Sequence, residues 1–117
     1  MTGVSAPALR VFAGTTEGRL LCEWLASRGM RARAYAATEY GGELIDDLPG
    51  VEVLTGRLDE REMEAELSGA AIVVDATHPF ASLASRNIRA AAEATGARYV
   101  RLRREVEAAP DDAIVAG

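Results

Sequence analysis

Short apolar runs alternate with amphipathic stretches along most of the chain, and this alternation predicts a β/α repeat. The apolar run 8–13 predicts a buried strand, and apolar residues at helical spacing over about 17–28 predict a helix directly after it. Gly29 stands where a left-handed helix cap is expected. The same reasoning predicts further strands at 31–37, 51–54, 70–76 and 98–102, and further helices at 59–67 and about 79–95.

The composition of each run predicts its place in the sheet. Run 70–76 is the most apolar, which is typical of a central strand that is covered on both faces. Run 31–37 alternates alanines with arginine and tyrosine, so we expect this strand to lie nearer an edge. The glycine-rich segment 38–50 predicts mainly a connection, with a turn or two of helix over 43–48.

Two of the predicted helices carry signals at their start. Asp59, with Glu62 three residues later, predicts a capping box at the beginning of helix 59–67. Pro79 fits the first turn of the last helix. We expect the apolar face of that last helix to contain Phe80, Ala84, Ile88 and Ala91.

The order of elements predicts an α/β fold, a Rossmann-like open parallel sheet of about five strands with helices on both faces and strand order 3-2-1-4-5. A chain of 117 residues makes one domain at most. We expect residues 1–7 to be a leader and 8–104 to be a Rossmann-like cofactor-binding domain. The apolar run 113–115 predicts that 105–117 begins a connection to a second domain absent from this chain.

Charge and composition narrow the function classes. A net charge of −5 at pH 7 argues against a nucleic-acid surface, which needs a concentrated basic face. The 13 basic residues are all arginine, so a Walker-type lysine and a lysine Schiff base are excluded from this chain. No apolar run is long enough for a membrane span and no signal peptide is recognisable, so we expect a cytoplasmic protein.

The single cysteine, Cys22, lies inside the first predicted helix. One thiol can form neither an internal disulfide nor a thiolate metal cluster, so we expect this side chain to serve packing. The sequence therefore predicts no metal site.

The turn after the first strand is the first candidate site. Gly14, Thr15, Thr16, Glu17 and Gly18 connect a buried strand to a helix start. A helix start offers backbone N–H groups and a favourable dipole to a phosphate, and the two threonines add hydroxyl groups. The spacing departs from the dinucleotide fingerprint G-x-G-x-x-G, so a plain tight turn with a threonine cap remains an alternative.

Polar residues also follow the other predicted strands, and the carboxyl ends of parallel strands meet at one edge of a sheet. Glu39 ends the second strand near where a Rossmann domain places its ribose-binding acid, and there it would favour ribose hydroxyls over a 2′-phosphate. Thr38 and Arg57 could hold that phosphate instead. Asp59 and Asp75 are expected to orient backbone or substrate polar groups.

His78 is the only histidine, and it precedes a proline at a predicted helix start. It could fill the turn or donate a proton to a ligand, and the sequence leaves both roles open. Six of the 13 arginines lie within 86–104, where they form either a solvated face or a site for a substrate with several carboxylates.

Five motifs in order carry a family resemblance across about residues 9–104. They are Gly14-Thr15-Thr16-Glu17-Gly18-Arg19, Ala37-Thr38-Glu39-Tyr40-Gly41, Gly56-Arg57-Leu58-Asp59, Val73-Val74-Asp75-Ala76-Thr77-His78-Pro79-Phe80-Ala81 with Ser85 and Asn87, and Tyr99-Val100-Arg101-Leu102-Arg103-Arg104. Together they resemble the precorrin-6A reductases of cobalamin biosynthesis. The block from Asp75 to Ala81 is the most specific of them.

The resemblance implies an NAD(P)H-dependent reductase that adds a hydride and a proton to a precorrin-6A-type tetrapyrrole, giving precorrin-6B. It implies two Rossmann-like domains with cofactor and substrate between them, of which this chain supplies the N-terminal one, so a second domain in cis or in trans would be a partner. The expected cofactor is NADPH, with NADH as the alternative.

The strand-end turns and the resemblance together assign roles to individual residues. The expected cofactor-binding residues are Gly14, Thr15, Thr16, Glu17, Gly18, Thr38, Glu39, Arg57 and Asp59. Thr77, Arg101 and Arg104 are expected near the substrate, with His78 as a candidate general acid. Two other functions stay open: a nucleotide-binding Rossmann module without catalysis, and a flavodoxin-like flavin protein.

Overall fold

The computed structural model describes residues 6–103. The elements are β1 (Leu9–Ala13), α1 (Thr16–Ser27), β2 (Ala32–Ala36), α2 (Glu39–Glu43), β3 (Val51–Thr55), α3 (Glu60–Leu67), β4 (Ile72–Ala76), α4 (Ser82–Thr95) and β5 (Arg98–Arg101). Arg104, the predicted connection 105–117 and most of the predicted leader lie outside the described residues. Within 6–103, no helix has the length and apolar character that crossing a membrane requires.

The five strands form one parallel sheet in the order β3-β2-β1-β4-β5, which confirms the predicted topology. The central strand is β1, whereas run 70–76, predicted to be central, forms β4 beside it. Run 31–37 forms β2, which lies between β1 and the edge strand β3 and is therefore nearer an edge than β1, as predicted. Its Arg33 is accommodated there by ion pairs with Glu52 and Glu66.

Two apolar clusters cover the two faces of the sheet, because successive side chains of a strand point to opposite faces. Val11 packs with residues of α1 on one face, and Phe12 packs with residues of α3 and α4 on the other. Helices therefore lie on both faces, as predicted. Cys22 belongs to the first cluster and is fully buried, which confirms its packing role. Burial raises the pKa of the Cys22 thiol to about 11, with a smaller contribution from Glu23.

The predicted caps are present at both ends of α1 and at the start of α3. Thr15 accepts from the backbone N–H of Gly18 at the start of α1, and Gly29 follows that helix with a φ of 71°. Asp59 and Glu62 form the predicted capping box of α3. These local signals were readable because a cap involves residues only three positions apart.

Two helices begin at different places from those predicted. α4 begins at Ser82, so Pro79 and Phe80 lie in the preceding turn, and Phe80 is 86% exposed instead of packed. In that turn the N–H of Ala81 donates to the carbonyl of His78, which satisfies the backbone before the helix starts. α2 covers 39–43 and not 43–48, because Thr38 caps it by accepting from the N–H of Gly41.

A buried arginine in β1 was not anticipated. Arg10 is 1% exposed, and its Nε donates to the carbonyl of Pro7 at 2.7 Å. Its Nη1 donates to the carbonyl of Glu66 in the last turn of α3 and lies 3.4 Å from the hydroxyl of Tyr35. A positive charge at a helix C-terminus is favourable, so Arg10 joins the central strand to α3.

Candidate functional site

Two clefts lie at the carboxyl edge of the sheet. The larger has a volume of about 490 Å³ and lies between the segments that follow β3 and β4. The smaller has a volume of about 430 Å³ and lies between the turn after β1 and helix α2. Ala13, Ala36 and Ala37 line both clefts, so small side chains at the ends of β1 and β2 separate them. This edge includes the point between β1 and β4 where the winding reverses, which is where open parallel sheets bind ligands.

The turn after β1 forms one wall of the smaller cleft, which Gly14, Thr15 and Thr16 line. The hydroxyl of Thr15 donates to the carbonyl of Ala76 at 2.7 Å and accepts from the N–H of Gly18 at 3.2 Å. The hydroxyl hydrogen of Thr15 is therefore used to join β4 to the start of α1. Thr16 holds the first helical position and is exposed.

Gly18 lets α1 lie close against the sheet. A Cβ at this position would be 3.0 Å from the Cα of Ala13 and 3.1 Å from the Cβ of Ala76. A glycine in the first turn after a βα connection commonly serves such close helix–strand packing. Gly18 thus acts by holding the start of α1 next to the ends of β1 and β4, and it is buried.

The ends of β2 and β3 place the other predicted cofactor residues in different locations. Thr38 lines the smaller cleft, whereas Arg57 is exposed and lines the larger one. Within residues 6–103, Glu39 and Asp59 are not among the residues lining these two clefts. Glu39 is exposed in the first turn of α2, and the carboxylate of Asp59 caps α3.

A buried carboxylate organises the end of β4. Asp75 is fully buried, and its Oδ1 accepts from the N–H of Thr77 at 3.1 Å and from the Thr77 hydroxyl at 2.7 Å. Its Oδ2 accepts from the hydroxyl of Tyr99 at 2.7 Å. The hydroxyls of Thr77 and Ser85 lie 3.3 Å apart, which extends the network to α4. The expectation that Asp75 orients backbone groups agrees with this geometry.

The environment shifts the pKa values of Asp75 and Tyr99 in opposite directions. Burial by itself would raise the pKa of Asp75, but hydrogen bonds from Tyr99, Thr77 and Ser85 outweigh burial and lower it. Burial and the hydrogen bond to Asp75 raise the pKa of Tyr99 to about 12. The pair therefore holds one carboxylate and one neutral phenol at neutral pH.

Arg101 turns toward the protein interior. Its Nη1 lies 3.1 Å from Oδ1 of Asp75 and donates to the carbonyls of Asp75 and Thr77, each at 3.0 Å. Its Nη2 lies 3.4 Å from the carbonyl of His78. These contacts place Arg101 behind the segment that follows β4, with its side chain 22% exposed.

His78 is exposed in the turn before α4, where its Nδ1 accepts from the N–H of Phe80 at 3.1 Å, and within residues 6–103 it is not among those lining the two clefts. The ring nitrogen that accepts this bond carries no hydrogen, so Nε2 is the donor of the neutral ring. Its ring centre lies 5.3 Å from that of Phe80, which lines the larger cleft together with Thr77. The contact with the Phe80 N–H fits the turn-filling role of His78, and its chemical role stays a prediction.

The arginines within 86–104 do not gather at one cleft. Arg89 pairs with Glu93 and lies over the ring of Tyr99, while Arg86 and Arg98 are exposed. Among the described residues, the arginines that line a cleft are Arg57 in the larger and Arg19 in the smaller. Tyr99 and Ser85 were not predictable as site residues, because their contacts with Asp75 and Thr77 depend on how β5 and α4 pack against β4.

A family model described as precorrin-6x reductase CbiJ/CobK matches residues 8–116. The chain belongs to this family. A cobalt-precorrin-6A reductase from Methanothermobacter thermautotrophicus is 39% identical over 111 residues, and the match covers 92% of this chain and 36% of that protein. A precorrin-6A reductase from Rhodobacter capsulatus is 37% identical over 92 residues, covering 75% of this chain and 35% of that protein.

Two solved structures share the fold, and one of them carries the name of the same family. A structure titled CobK precorrin-6A reductase superposes with a TM-score of 0.73 at 31% identity, covering 86% of this chain and 40% of that one. An imine reductase from Myxococcus stipitatus in complex with NADP+ superposes with a TM-score of 0.50 at 20% identity, covering 90% of this chain and 43% of that one. The second likeness shows the Rossmann-like fold alone. The chain spans 36% of the length of the Methanothermobacter relative.

Proposed function

We propose that this chain is the cofactor-binding N-terminal part of an NADPH-dependent reductase acting on a precorrin-6A-type tetrapyrrole. The observation that carries the proposal is the pair of clefts that meet over Ala13, Ala36 and Ala37, beside the Gly14–Thr16 turn. Such an edge suits an extended dinucleotide. Its phosphates would bind at the start of α1, and its two nucleoside halves would extend into the two clefts. The imine reductase of the same fold is in complex with NADP+, which supports a dinucleotide here.

The residues present fit that cofactor. The first-turn N–H groups of a helix have no acceptor within the helix, and among the described residues the hydroxyl of Thr15 accepts from the N–H of Gly18. The start of α1 can therefore receive a diphosphate beside Gly14, Thr16 and Glu17. Gly18 contributes through close packing, because a side chain there would push α1 away from the sheet.

Specificity for NADPH over NADH is proposed to come from Arg57. It is an exposed cation in the larger cleft, and a guanidinium can bind a 2′-phosphate through two parallel hydrogen bonds. Thr38 and Glu39, at the end of β2, are proposed to lie at the ribose. Asp59 contributes by capping α3, which fixes the end of the segment that carries Arg57.

The bound cofactor supplies a hydride from its reduced nicotinamide ring. The chain's own residues are proposed to bind and orient the reactants in the larger cleft. Thr77 lines that cleft. His78, the next residue along the chain, is proposed to donate a proton to the substrate from Nε2. Arg101 acts on the backbone of this segment. Arg104 is proposed to bind a substrate carboxylate, and it lies outside the described residues.

The substrate and the complete reaction are proposed to require a second domain, in cis or in trans, since the matches cover only 36% and 35% of the two relatives. The test is turnover of precorrin-6A by this chain, alone and together with the remaining part of a relative. We expect measurable reduction only in the combined sample, and His78→Gln should lower kcat and flatten its pH profile. Unchanged kcat across pH in His78→Gln removes His78 as the general acid.

Cofactor binding is tested by calorimetric titration of the 117-residue chain with NADPH and NADH. We expect NADPH to bind about tenfold more tightly than NADH, because the 2′-phosphate adds a charge-assisted contact. Arg57→Met should remove that preference, whereas Arg61→Met, at an exposed position of α3, is the matched control and should keep it. Equal and weak binding of both nucleotides would contradict the cofactor assignment, and a yellow purified protein would favour a flavin.

A further inference from the structure

Within the described part of the chain, the buried carboxylate of Asp75 does not line either cleft. Asp75 is 0% exposed and is not among the residues that line either cleft, although it lies at the functional end of β4. Both of its carboxylate oxygens accept hydrogen bonds from the protein. A buried charge that is this fully paired is suited to fixing its neighbours.

Arg101 connects the carboxylate of Asp75 to the backbone of the segment that follows β4. The parallel register of β4 and β5 places Asp75 opposite Arg101, so the guanidinium reaches Oδ1 of Asp75 at 3.1 Å. The same group lies 3.0 Å from the carbonyl of Thr77 and 3.4 Å from the carbonyl of His78. The planar fork of an arginine can hold several acceptors at fixed angles, which a lysine cannot do to the same extent.

The carbonyl of His78 links this contact to the beginning of α4. It also accepts from the N–H of Ala81 at 2.9 Å, directly before the helix starts at Ser82. Among the side chains of residues 6–103, none caps the N-terminus of α4. The position of that helix start therefore depends on the backbone of His78, and Ser82 and Leu83 at this start line the larger cleft.

We infer that Asp75 is a positioning residue, which holds the Thr77–His78 backbone and the start of α4 as a preformed wall of the larger cleft through Arg101 and Tyr99. Arg101 is thereby assigned to the protein backbone and not to a substrate carboxylate. The inference rests on the proposed function in that the larger cleft receives a reactant. A wall that is ordered before binding lowers the entropy cost of binding, so loss of Arg101 or of the Tyr99 hydroxyl weakens ligand affinity without direct contact.

The experiment compares Arg101→Met, Arg101→Lys and Tyr99→Phe with Arg98→Met in the 117-residue chain. Arg98 is the matched control because it lies on the same strand and is exposed. Hydrogen exchange is measured at the amides of Thr77 and Ala81, with amides of β1 as an internal reference. NADPH affinity is measured by calorimetric titration on the same samples.

We expect Arg101→Met to speed exchange at Thr77 and Ala81 about tenfold relative to β1, because their hydrogen bonds lose support. The Kd for NADPH should rise about fivefold, and Tyr99→Phe should show smaller changes of the same kind. Arg101→Lys should restore part of both effects, since an ammonium still reaches Asp75. Arg98→Met should change neither measurement.

Two results overturn the inference. Exchange that stays unchanged at Thr77 and Ala81, or that rises equally in β1, shows that Asp75 and Arg101 do not hold this segment in particular. Local exchange that rises while NADPH affinity stays at the wild-type value in every variant shows a structural role without positioning. If the wild-type chain binds no NADPH, the proposed cofactor assignment fails, and the exchange rates still decide whether Asp75 holds the wall.

Discussion

Two buried charges, Arg10 and Asp75, join elements of the described structure that the chain keeps far apart. Arg10 holds the carbonyls of Pro7 and Glu66, and Asp75 holds Tyr99 and Arg101. Each of these charged side chains can be buried only because several hydrogen bonds replace its hydration. At the scale of single residues, stability and site geometry thus depend on the same side chains.

Gly18 and Gly14 offer a comparison between a packed and an open glycine in one turn. A Cβ on Gly18 would be 3.0 Å from a backbone atom of Ala13, whereas a Cβ on Gly14 would meet its nearest atom, in Thr77, at 3.9 Å. We expect Gly18→Ala to lower the free energy of unfolding by about 1–3 kcal/mol, because α1 must move off the sheet. Gly14→Ala is the control and should change it by less than about 0.5 kcal/mol. Urea unfolding measures both, and equal losses would contradict the packing role.

The lowered pKa of Asp75 makes its contribution to stability depend on pH. A carboxyl whose pKa is lower in the folded than in the unfolded state stabilises the fold above its unfolded pKa of about 3.9, and this stabilisation is lost as the pH falls. Asp75→Asn should therefore be less stable than wild type by roughly 2 kcal/mol at pH 7, with the difference shrinking between about pH 5 and 3.

Urea unfolding of wild type and Asp75→Asn at several pH values measures this difference. Asp46→Asn, at an exposed carboxyl, is the matched control and should remain close to wild type at pH 7. A gap between wild type and Asp75→Asn that stays constant down to pH 3 would mean that the ionised carboxylate does not stabilise the folded state.

At the scale of elements, the starts of α3 and α4 show which helix boundaries can be predicted from neighbouring residues alone. The capping box of α3 was predictable because Asp59 and Glu62 are three residues apart. The start of α4 was not predictable in this way. Pro79 and Phe80 lie in a turn before the helix, and the carbonyl of His78 accepts the hydrogen bond that closes this turn. A helix start is thus predictable when its cap is local, and less so when a contact from another strand fixes it.

α3 should be sensitive to the loss of its cap, since it has only 8 residues. We expect Asp59→Ala to lower the free energy of unfolding by about 1 kcal/mol, because the first-turn N–H of Glu62 loses its acceptor. Glu64→Ala, at an exposed position of the same helix, is the control and should have little effect. Thermal and urea unfolding test this, and a cap variant as stable as the control would show that packing alone holds α3.

At the scale of the whole molecule, the sheet has a protected centre and exposed edges. β1 pairs with β2 and β4 and is covered by both apolar clusters, whereas β5 pairs with β4 alone among the described strands. The arrangement places the two clefts at the end of the most protected strand. A rigid sheet thereby supports binding segments that are themselves at the surface.

The rates of amide hydrogen exchange should be lower in the central strand than in the edge strands. We expect the amides of Val11 and Phe12 in β1 to exchange at least about tenfold more slowly than the amides of β5 that bond to β4, because edge strands open locally. The measurement is native-state exchange followed by NMR, with β3, the other edge strand, as a second comparison. Equal protection of β1, β3 and β5 would mean that the chain opens only as a whole.

The sequence by itself determined the kinds of elements, their order, the strand order and the turns that face the ligand edge. These follow from apolar periodicity and from caps within a few residues, and the motifs from Gly14 to Arg104 indicated the family. Only the tertiary structure decided that Arg101 holds the Thr77–His78 backbone and that Arg10 reaches α3. Those contacts join residues 24 and 56 positions apart, so they depend on strand register and helix packing, which no local pattern of side chains specifies.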